Sequence, residues 1–301
     1  MNRTLMGAVI AASLTATACG GADQPSLPEP IDAPTPETIA ETPPETGSLA
    51  WAAAGAWRGD NAARDVWRNP VETLDFFDIQ PSDTVVELSP GGGWYTQVLA
   101  PFLAAGDGTL VAATWDPDAF EGERRARVEA RIQDYSEAFG DADLFGEIQI
   151  AALSGVSGPI VEEGSADVVL TFRNIHNWMS GEYLDKVLSD SFAALKPGGV
   201  LGVIEHRLPS TAEQDPAARS GYVHEDFVIA AAERSGFVFE ASSEINANPA
   251  DTADHPFGVW TLPPSSRTED RDGNTPEGFD PAIYLAIGES DRMTLKFRKP
   301  E

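Results

Sequence analysis

The sequence predicts an α/β protein built on a doubly wound, mostly parallel sheet. Strand and helix patterns alternate between residues 84 and 298, which is typical of repeated βα units. A glycine turn at 89–93 follows the first apolar strand, and ligands bind such sheets beyond the carboxyl ends of their strands. The Val-Val-Leu run within 166–172 indicates a strand that is buried on both faces.

The individual elements follow from the local patterns. Seven strands are predicted at 84–88, 109–114, 147–151, 166–172, 200–205, 237–245 and 293–298. Helices are predicted at 61–67, 71–77, 94–103, 119–139, 181–195 and 225–235. Lys-Pro-Gly-Gly at 196–199 is a strong stop for the fifth of these helices. Residues 246–290 are polar and rich in proline and glycine, so they predict an insertion before the last strand and a candidate lid.

The N-terminus predicts export. Residues 1–18 have a basic start and an apolar run that is too short to span a bilayer, as in a signal peptide. Ala16-Thr17-Ala18-Cys19 resembles a bacterial lipobox, which predicts lipidation at Cys19 and a location on the periplasmic side of a bacterial membrane. Cleavage without lipidation and a frayed apolar N-terminus of a cytosolic protein are the alternatives. Residues 19–47 carry prolines and acids but no Lys or Arg, and they predict a disordered tether before a domain at 48–301.

The composition limits the classes of partner. The formal net charge is -28, from 48 acids against 20 bases, so the protein is expected to repel nucleic acid. With one cysteine, Cys19, the chain forms no intramolecular disulfide. A small-molecule substrate is expected, and membrane contact is expected only through the lipid anchor. The oligomeric state stays open.

The glycine turn narrows the choice of cofactor. Glycines let a backbone approach a ligand closely, although a tight structural connection is the plain alternative. A dinucleotide fingerprint requires a third glycine, and Thr96 occupies that place. The spacing therefore argues against NAD and an oxidoreductase.

Residues 86–93, Val-Glu-Leu-Ser-Pro-Gly-Gly-Gly, resemble motif I of class I S-adenosylmethionine (SAM) methyltransferases. Residues 166–172 resemble the fourth strand of that family, and 195–201 resemble the turn into its fifth strand. The segments 90–96, 172–178, 243–249 and 289–293 are similar to those of a poorly characterised group of bacterial methyltransferases, some of them exported. The resemblance implies a Rossmann-like, seven-stranded class I methyltransferase fold.

The resemblance also implies a set of cofactor-binding residues. These are Glu87, Ser89, Gly91, Gly92, Gly93, Asp116 and Asn174. Ser89 stands where the family has its first motif glycine, so its side chain is expected to narrow the pocket or restrict the turn. Asp116 would accept the ribose hydroxyls of SAM, with a local turn or cap before Pro117 as the alternative.

The ends of the fourth and fifth strands hold the candidate acceptor site. Asn174 and His176 are the predicted catalytic residues, because a histidine has a suitable pKa to take a proton from the acceptor. A purely structural histidine is the alternative. The predicted substrate-binding residues are Trp178, Glu205, His206 and Arg207. Arg207 would hold an acidic group or pair with local carboxylates, and pairing is favoured.

No metal site is predicted, because the four histidines lack the H-x-x-x-H and H-E-x-x-H spacings of zinc sites. The sequence thus favours SAM-dependent methyl transfer to a small-molecule or envelope acceptor. The alternative is a non-catalytic exported binding protein with the same fold, since SAM is made in the cytosol. Fold resemblance alone does not decide between these two functions.

Overall fold

A computed structural model describes residues 43–301 of the chain. The predicted signal peptide at 1–18, the lipidation site Cys19 and the tether as far as residue 42 lie outside the described residues. The first helix begins after Ser48, whose hydroxyl accepts a hydrogen bond from the Trp51 N–H at 3.1 Å. Across residues 43–301, the helices are too short or too polar to cross a membrane.

Eight strands form in the described region, and seven of them make one sheet. Their bounds are β1 Thr84–Leu88, β2 Thr109–Trp115, β3 Gln149–Leu153, β4 Ala166–Phe172, β5 Leu195–His206, β6 Val238–Ser243, β7 Pro256–Val259 and β8 Arg292–Arg298. The sheet order is β3-β2-β1-β4-β5-β8-β6. β8 runs antiparallel to β5 and β6, and the other pairs are parallel. The predicted fold class is confirmed.

Ten α-helices flank or decorate the sheet within residues 43–301. They are α1 Leu49–Ala53, α2 Asp65–Arg68, α3 Pro70–Phe76, α4 Thr96–Ala104, α5 Gly122–Ala138, α6 Ala142–Phe145, α7 Ile175–Ser180, α8 Leu184–Ala194, α9 Glu225–Arg234 and α10 Pro281–Ile287. Short 3₁₀ helices span Ala56–Arg64 and Pro117–Ala119. The sequence patterns did not predict α1, α6, α7, α10 or β7.

The fifth strand begins earlier than the sequence predicted. Leu195 already pairs with Ala166 of β4, and the register then shifts before Val168 pairs with Val200. The residues 196–199 therefore lie within β5 and do not form a separate turn. The helix before them still ends at Ala194, as a proline and two glycines require.

Both faces of the sheet are buried. In β1, Val85 packs into one cluster with Leu74 and Leu99, whereas Val86 packs into the other cluster with Leu188. This alternation follows from the two-residue period of a strand. β1 and β4 lie side by side at the centre, and the strand order reverses between them, so their carboxyl ends form the topological switch point where such sheets bind ligands.

Candidate functional site

The glycine turn and the loop after β4 meet at the switch point. The Ser89 N–H donates to the Ala113 carbonyl at 2.8 Å, which anchors the start of the turn to β2. The Asn174 side-chain amide reaches across from β4 and donates to the Leu88 and Ser89 carbonyls, both at 3.3 Å. Asn174 therefore connects the carboxyl ends of β1 and β4.

The three glycines of the turn differ in what surrounds each of them. A Cβ on Gly91 or Gly92 would meet no atom of residues 43–301 within 4 Å, so both backbones face open space. A Cβ on Gly93 would lie 2.4 Å from the Phe139 ring. Gly93 was predicted to border the cofactor. Its glycine is required instead for helix packing and for its backbone φ of 77°.

A cavity of about 570 Å³ opens above Gly91 and Gly92. The end of β2 contributes Trp115 to its wall, and α5 contributes Tyr135. Trp115 is 41% exposed and offers a flat aromatic surface. The volume lies within the range of small-molecule and cofactor sites, so this space, called the turn cavity below, can hold a ligand that contacts the glycine turn.

Glu87 is buried at the end of β1, next to the glycine turn, and does not line the turn cavity. It is 1% exposed, and its carboxyl accepts a hydrogen bond from the Thr96 hydroxyl at 2.7 Å. The Tyr135 hydroxyl lies 3.0 Å from the same Thr96 oxygen, which continues the chain to the cavity wall. Burial raises the pKa of Glu87 from 4.5 to about 7. Glu87 was predicted to border the cofactor; the structure places its carboxyl behind the cavity wall, and a role toward SAM stays a prediction.

Asp116 is engaged in a local cap. Its carboxylate accepts the Asp118 N–H at 2.9 Å and the Ser154 hydroxyl at 3.1 Å. It is 8% exposed, and among residues 43–301 the wall of the turn cavity is formed at this strand end by Thr114 and Trp115. The geometry matches the cap alternative, and the ribose role of Asp116 remains a prediction.

A second cavity, of about 400 Å³, lies on the other side of the turn and is called the acceptor cavity below. It shares five wall residues with the turn cavity: Ser89, Pro90, Gly91, Gly92 and Asn174. His176 and His206 line it from the ends of β4 and β5, while Trp260 and Ser290 line it from the C-terminal part of the chain. The predicted insertion at 246–290 thus supplies part of its wall.

His176 and Glu205 form a hydrogen-bonded dyad beside the acceptor cavity. The His176 Nδ1 lies 3.0 Å from Oε1 of Glu205, which is 0% exposed. Glu205 also accepts the backbone N–H groups of His176 at 3.2 Å and His206 at 2.8 Å. A carboxylate bound in this way fixes the ring and favours the tautomer whose free lone pair is on Nε2. Glu205 was predicted to bind substrate; its carboxylate is engaged by His176 and His206 in the structure, and a substrate contact stays a prediction.

Ligand atoms of His176, Glu205 and His206 lie within 4.8 Å of one another, an arrangement that the sequence spacing did not reveal. Both Glu205 oxygens already accept hydrogen bonds from His176 and His206. His206 Nδ1 is hydrogen-bonded to the Ser290 hydroxyl. Burial, His176 and Arg173 hold the pKa of His206 well below its usual range, so His206 lines the cavity as a neutral ring.

Two predicted substrate residues lie away from both cavities. Trp178 is 1% exposed and belongs to the hydrophobic core under α8, so its predicted contact with substrate is corrected to a packing role. Arg207 binds Asp291 at 2.9 Å and both oxygens of Glu244 at 2.7 Å. These partners raise the pKa of Arg207 above its usual value. The pairing alternative for Arg207 is the one that the structure contains.

No known family profile and no curated protein matches the chain. A solved structure from Galdieria sulphuraria, provisionally assigned as a sarcosine dimethylglycine methyltransferase, is similar with a TM-score of 0.50 and 13% identity, over 79% of this chain and 86% of that one. The fold is that of the class I methyltransferases. A SAM-dependent methyltransferase from Aquifex aeolicus is similar over 64% of this chain and 93% of its own, at 15% identity and a TM-score of 0.47.

Within this methyltransferase fold, several cavity residues escaped the sequence analysis. Trp115 and Tyr135 were not singled out, because an aromatic on a strand or helix is more often a core residue. Arg64, Arg68 and Arg173 line the acceptor cavity. Arg173 stands inside the segment 172–178 that carries the resemblance, and the spacing of four between Arg64 and Arg68 places them on one helical face. Those two signals could have identified the arginines.

Proposed function

We propose that the protein transfers a methyl group from SAM to a small-molecule or envelope acceptor. The observation that carries the proposal is the meeting of two cavities at one glycine turn. Methyl transfer requires a donor and an acceptor to be aligned in line at short range. SAM, when bound, supplies an electrophilic methyl group on a sulfonium sulfur. The turn cavity would hold the donor, and the acceptor cavity would hold the nucleophile.

The residues at the turn fit a SAM-sized ligand. Gly91 and Gly92 form a cradle that a Cβ would occupy. The Ser89 hydroxyl is buried and has no hydrogen-bond partner within residues 43–301, so a ligand at the turn can satisfy it. Trp115 offers an aromatic face for a planar ring, and the Tyr135 side chain closes the wall opposite. These features support SAM as the cofactor.

His176 is the base that we propose for an acceptor with a hydroxyl or a protonated amine. Nε2 of His176 would take the proton that the nucleophile loses on receiving the methyl group, and the electrons of the C–S bond would stay with the sulfur of SAM. Glu205 then stabilises the imidazolium that forms, since it already binds Nδ1. Asn174 acts as a positioning residue between the two cavities.

Calorimetric titration of the full chain with SAM and S-adenosylhomocysteine tests the proposal. Gly92→Val places a side chain in the open space of both cavities at a position without a left-handed φ, and it is expected to weaken SAM binding at least about tenfold. The matched control is Gly158→Val, an exposed glycine whose Cβ also meets no described atom. Gly93→Val is unsuitable, because it would collide with Phe139.

No SAM binding at millimolar concentration overturns the proposal. SAM binding without turnover in an activity-guided screen of cell extracts would favour the non-catalytic binding protein instead. We also propose that the chain is exported and anchored through Cys19. Cys19→Ser is then expected to release the protein from the membrane fraction, and unchanged processing and membrane association would contradict the anchor.

A further inference from the structure

Three arginines line one wall of the acceptor cavity, and this set is called the arginine wall below. Arg64 ends the 3₁₀ helix, Arg68 ends α2, and Arg173 follows β4. The chain as a whole carries a formal charge of -28. A concentration of cations at one cavity therefore runs against the overall charge and requires a local explanation.

Glu289 neutralises only part of this charge. Its carboxylate accepts Nε–H groups from Arg64 at 2.7 Å and Arg68 at 2.9 Å, and an Nη1–H group from Arg292 at 3.2 Å. Nη1 and Nη2 of Arg68 and Nη2 of Arg64 remain buried without a hydrogen-bond partner in the described part of the chain. Arg68 is 1% exposed, so water does not satisfy these donors from the surface.

Arg173 adds a further cation, which is compensated only through the Glu289 that it shares with the other arginines. It makes no ion pair within 4 Å among residues 43–301, and burial and Arg292 lower its pKa to about 10. Burial and Arg173 in turn lower the pKa of Arg68 to about 9. The chain therefore holds these guanidinium groups near one another with more repulsion than neutralisation, which is costly unless an anion joins them.

The arginine wall is held rigidly. The Arg68 guanidinium lies 4.6 Å from the centre of the Trp94 ring, and Arg58 lies 4.9 Å from the same ring. The Tyr95 hydroxyl donates to the Arg68 carbonyl at 3.1 Å. Tyr95 also stacks on Phe172, the residue before Arg173, with ring centres 3.6 Å apart. Donors fixed before a ligand arrives lose little entropy when it binds.

We infer that the arginine wall binds an oxyanion, a carboxylate or a phosphate, that the acceptor carries. The planar guanidinium presents paired donors that match the oxygens of either group. An anion in the acceptor cavity would compensate the positive charges of Arg64, Arg68 and Arg173, which all line it. The inference rests on the proposed function, because it identifies the chemical class of the acceptor in the same site.

The carboxylate of SAM itself is the other source of an oxyanion. Its amino-acid part also carries an ammonium, and its sulfonium adds a positive charge, so SAM does not reduce the positive charge of the arginine wall. An anionic acceptor does reduce it, and it would also favour the approach of the cationic donor. The charge balance therefore assigns the oxyanion to the acceptor.

Titration of the full chain with inorganic phosphate and with acetate, at low chloride and without cofactor, tests the inference. Saturable binding of at least one anion is expected. Arg173→Met removes a cation that has no partner to lose, and Arg68→Lys keeps the charge but removes the planar donor pair. Each is expected to weaken anion binding about tenfold or more. Arg234→Met, an exposed residue of α9, is the control and should leave anion affinity unchanged.

Failure of both anions to bind, or binding that both variants leave unchanged, overturns the inference. Competition separates the two sources of the oxyanion. If phosphate and S-adenosylhomocysteine bind together, the acceptor assignment is supported. If S-adenosylhomocysteine excludes phosphate while methylthioadenosine, which lacks the amino acid, does not, the cofactor carboxylate is the occupant and the assignment is wrong. SAM binding without anion binding would leave the proposed function intact. Anion binding without SAM binding would overturn that function and the assignment of the anion to a methyl acceptor, and only the anion site itself would stand.

Discussion

Ser89→Gly should stabilise the protein, although it removes a side chain from the candidate site. Ser89 has a left-handed backbone with a φ of 50°, a region that is costly for residues with a Cβ. Its hydroxyl is buried without a partner within residues 43–301. Both features disfavour the folded state in the absence of ligand, and glycine removes both.

The size of the effect follows from three contributions. Relief of the left-handed backbone is worth about 1–2 kcal/mol, and loss of the unsatisfied hydroxyl is worth about 1–3 kcal/mol. The greater freedom of glycine in the unfolded chain subtracts about 0.5–1 kcal/mol. The free energy of unfolding should therefore rise by about 3 kcal/mol.

Urea unfolding of the ligand-free protein measures this change. Ser266→Gly is the matched control, because Ser266 also has a left-handed φ of 45°, while its hydroxyl is not among the buried unpartnered atoms of the described chain. The control should gain only the backbone term, so the difference between the two variants isolates the Ser89 hydroxyl. Equal or lower stability of Ser89→Gly relative to the wild type would refute the reasoning.

The same variant separates stability from binding. If the Ser89 hydroxyl contacts the ligand, Ser89→Gly should weaken SAM binding while it stabilises the fold. A variant that is more stable and binds SAM with unchanged affinity would show that the hydroxyl has no ligand contact. A gain in the free energy of unfolding together with a loss of SAM affinity is the result expected for a strained binding residue.

Two further predictions concern the pair formed by His176 and Glu205, and the buried carboxyl of Glu87. His176→Ala should lower turnover about 10²–10⁴-fold with unchanged SAM affinity. Glu205→Gln should lower turnover less, since an amide still contacts the His176 ring. Unchanged turnover in His176→Ala would remove His176 from the mechanism. Burial raises the Glu87 pKa from 4.5 to about 7, so the folded state holds this proton more tightly than the unfolded chain, and stability should fall as pH rises from about 4.5 to 7. At about 1.4 kcal/mol per pH unit the loss is about 3.5 kcal/mol, and urea unfolding of Glu87→Gln should lack this dependence.

The local sequence patterns predicted the strands of the sheet, but they did not predict the short helices or β7. β1 and β4 have the predicted bounds, because buried central strands are continuous apolar runs with clear stops. α7 has only six residues, too few to show a helical period. The early start of β5 depends on pairing with β4, which is a tertiary effect.

The face of the strand on which Glu87 lies explains why its side chain does not line the turn cavity. Residues 85 and 87 share one face of β1 under the two-residue period, and Val85 packs under the helices of that face. Glu87 therefore points into a helix-covered layer, whereas only residues beyond the strand end, from Ser89 onward, can reach a cavity. The two-residue period of β1 can be read from the sequence. The pairing of Arg68 with Glu289 cannot, because the two residues lie 221 positions apart.

The two central strands end in the same unusual way, and this similarity links the fold to the proposed chemistry. Ser89 is the first residue after β1 and Arg173 the first after β4, and both have left-handed backbones, with φ of 50° and 63°. Both line the acceptor cavity. Glycine at either place would relieve strain, so the stability of the fold alone does not favour a serine or an arginine there. Polar groups that the described chain leaves unpartnered are expected where a ligand supplies the missing partner. The strain at the switch point thus argues, independently of fold resemblance, for a polar ligand between β1 and β4.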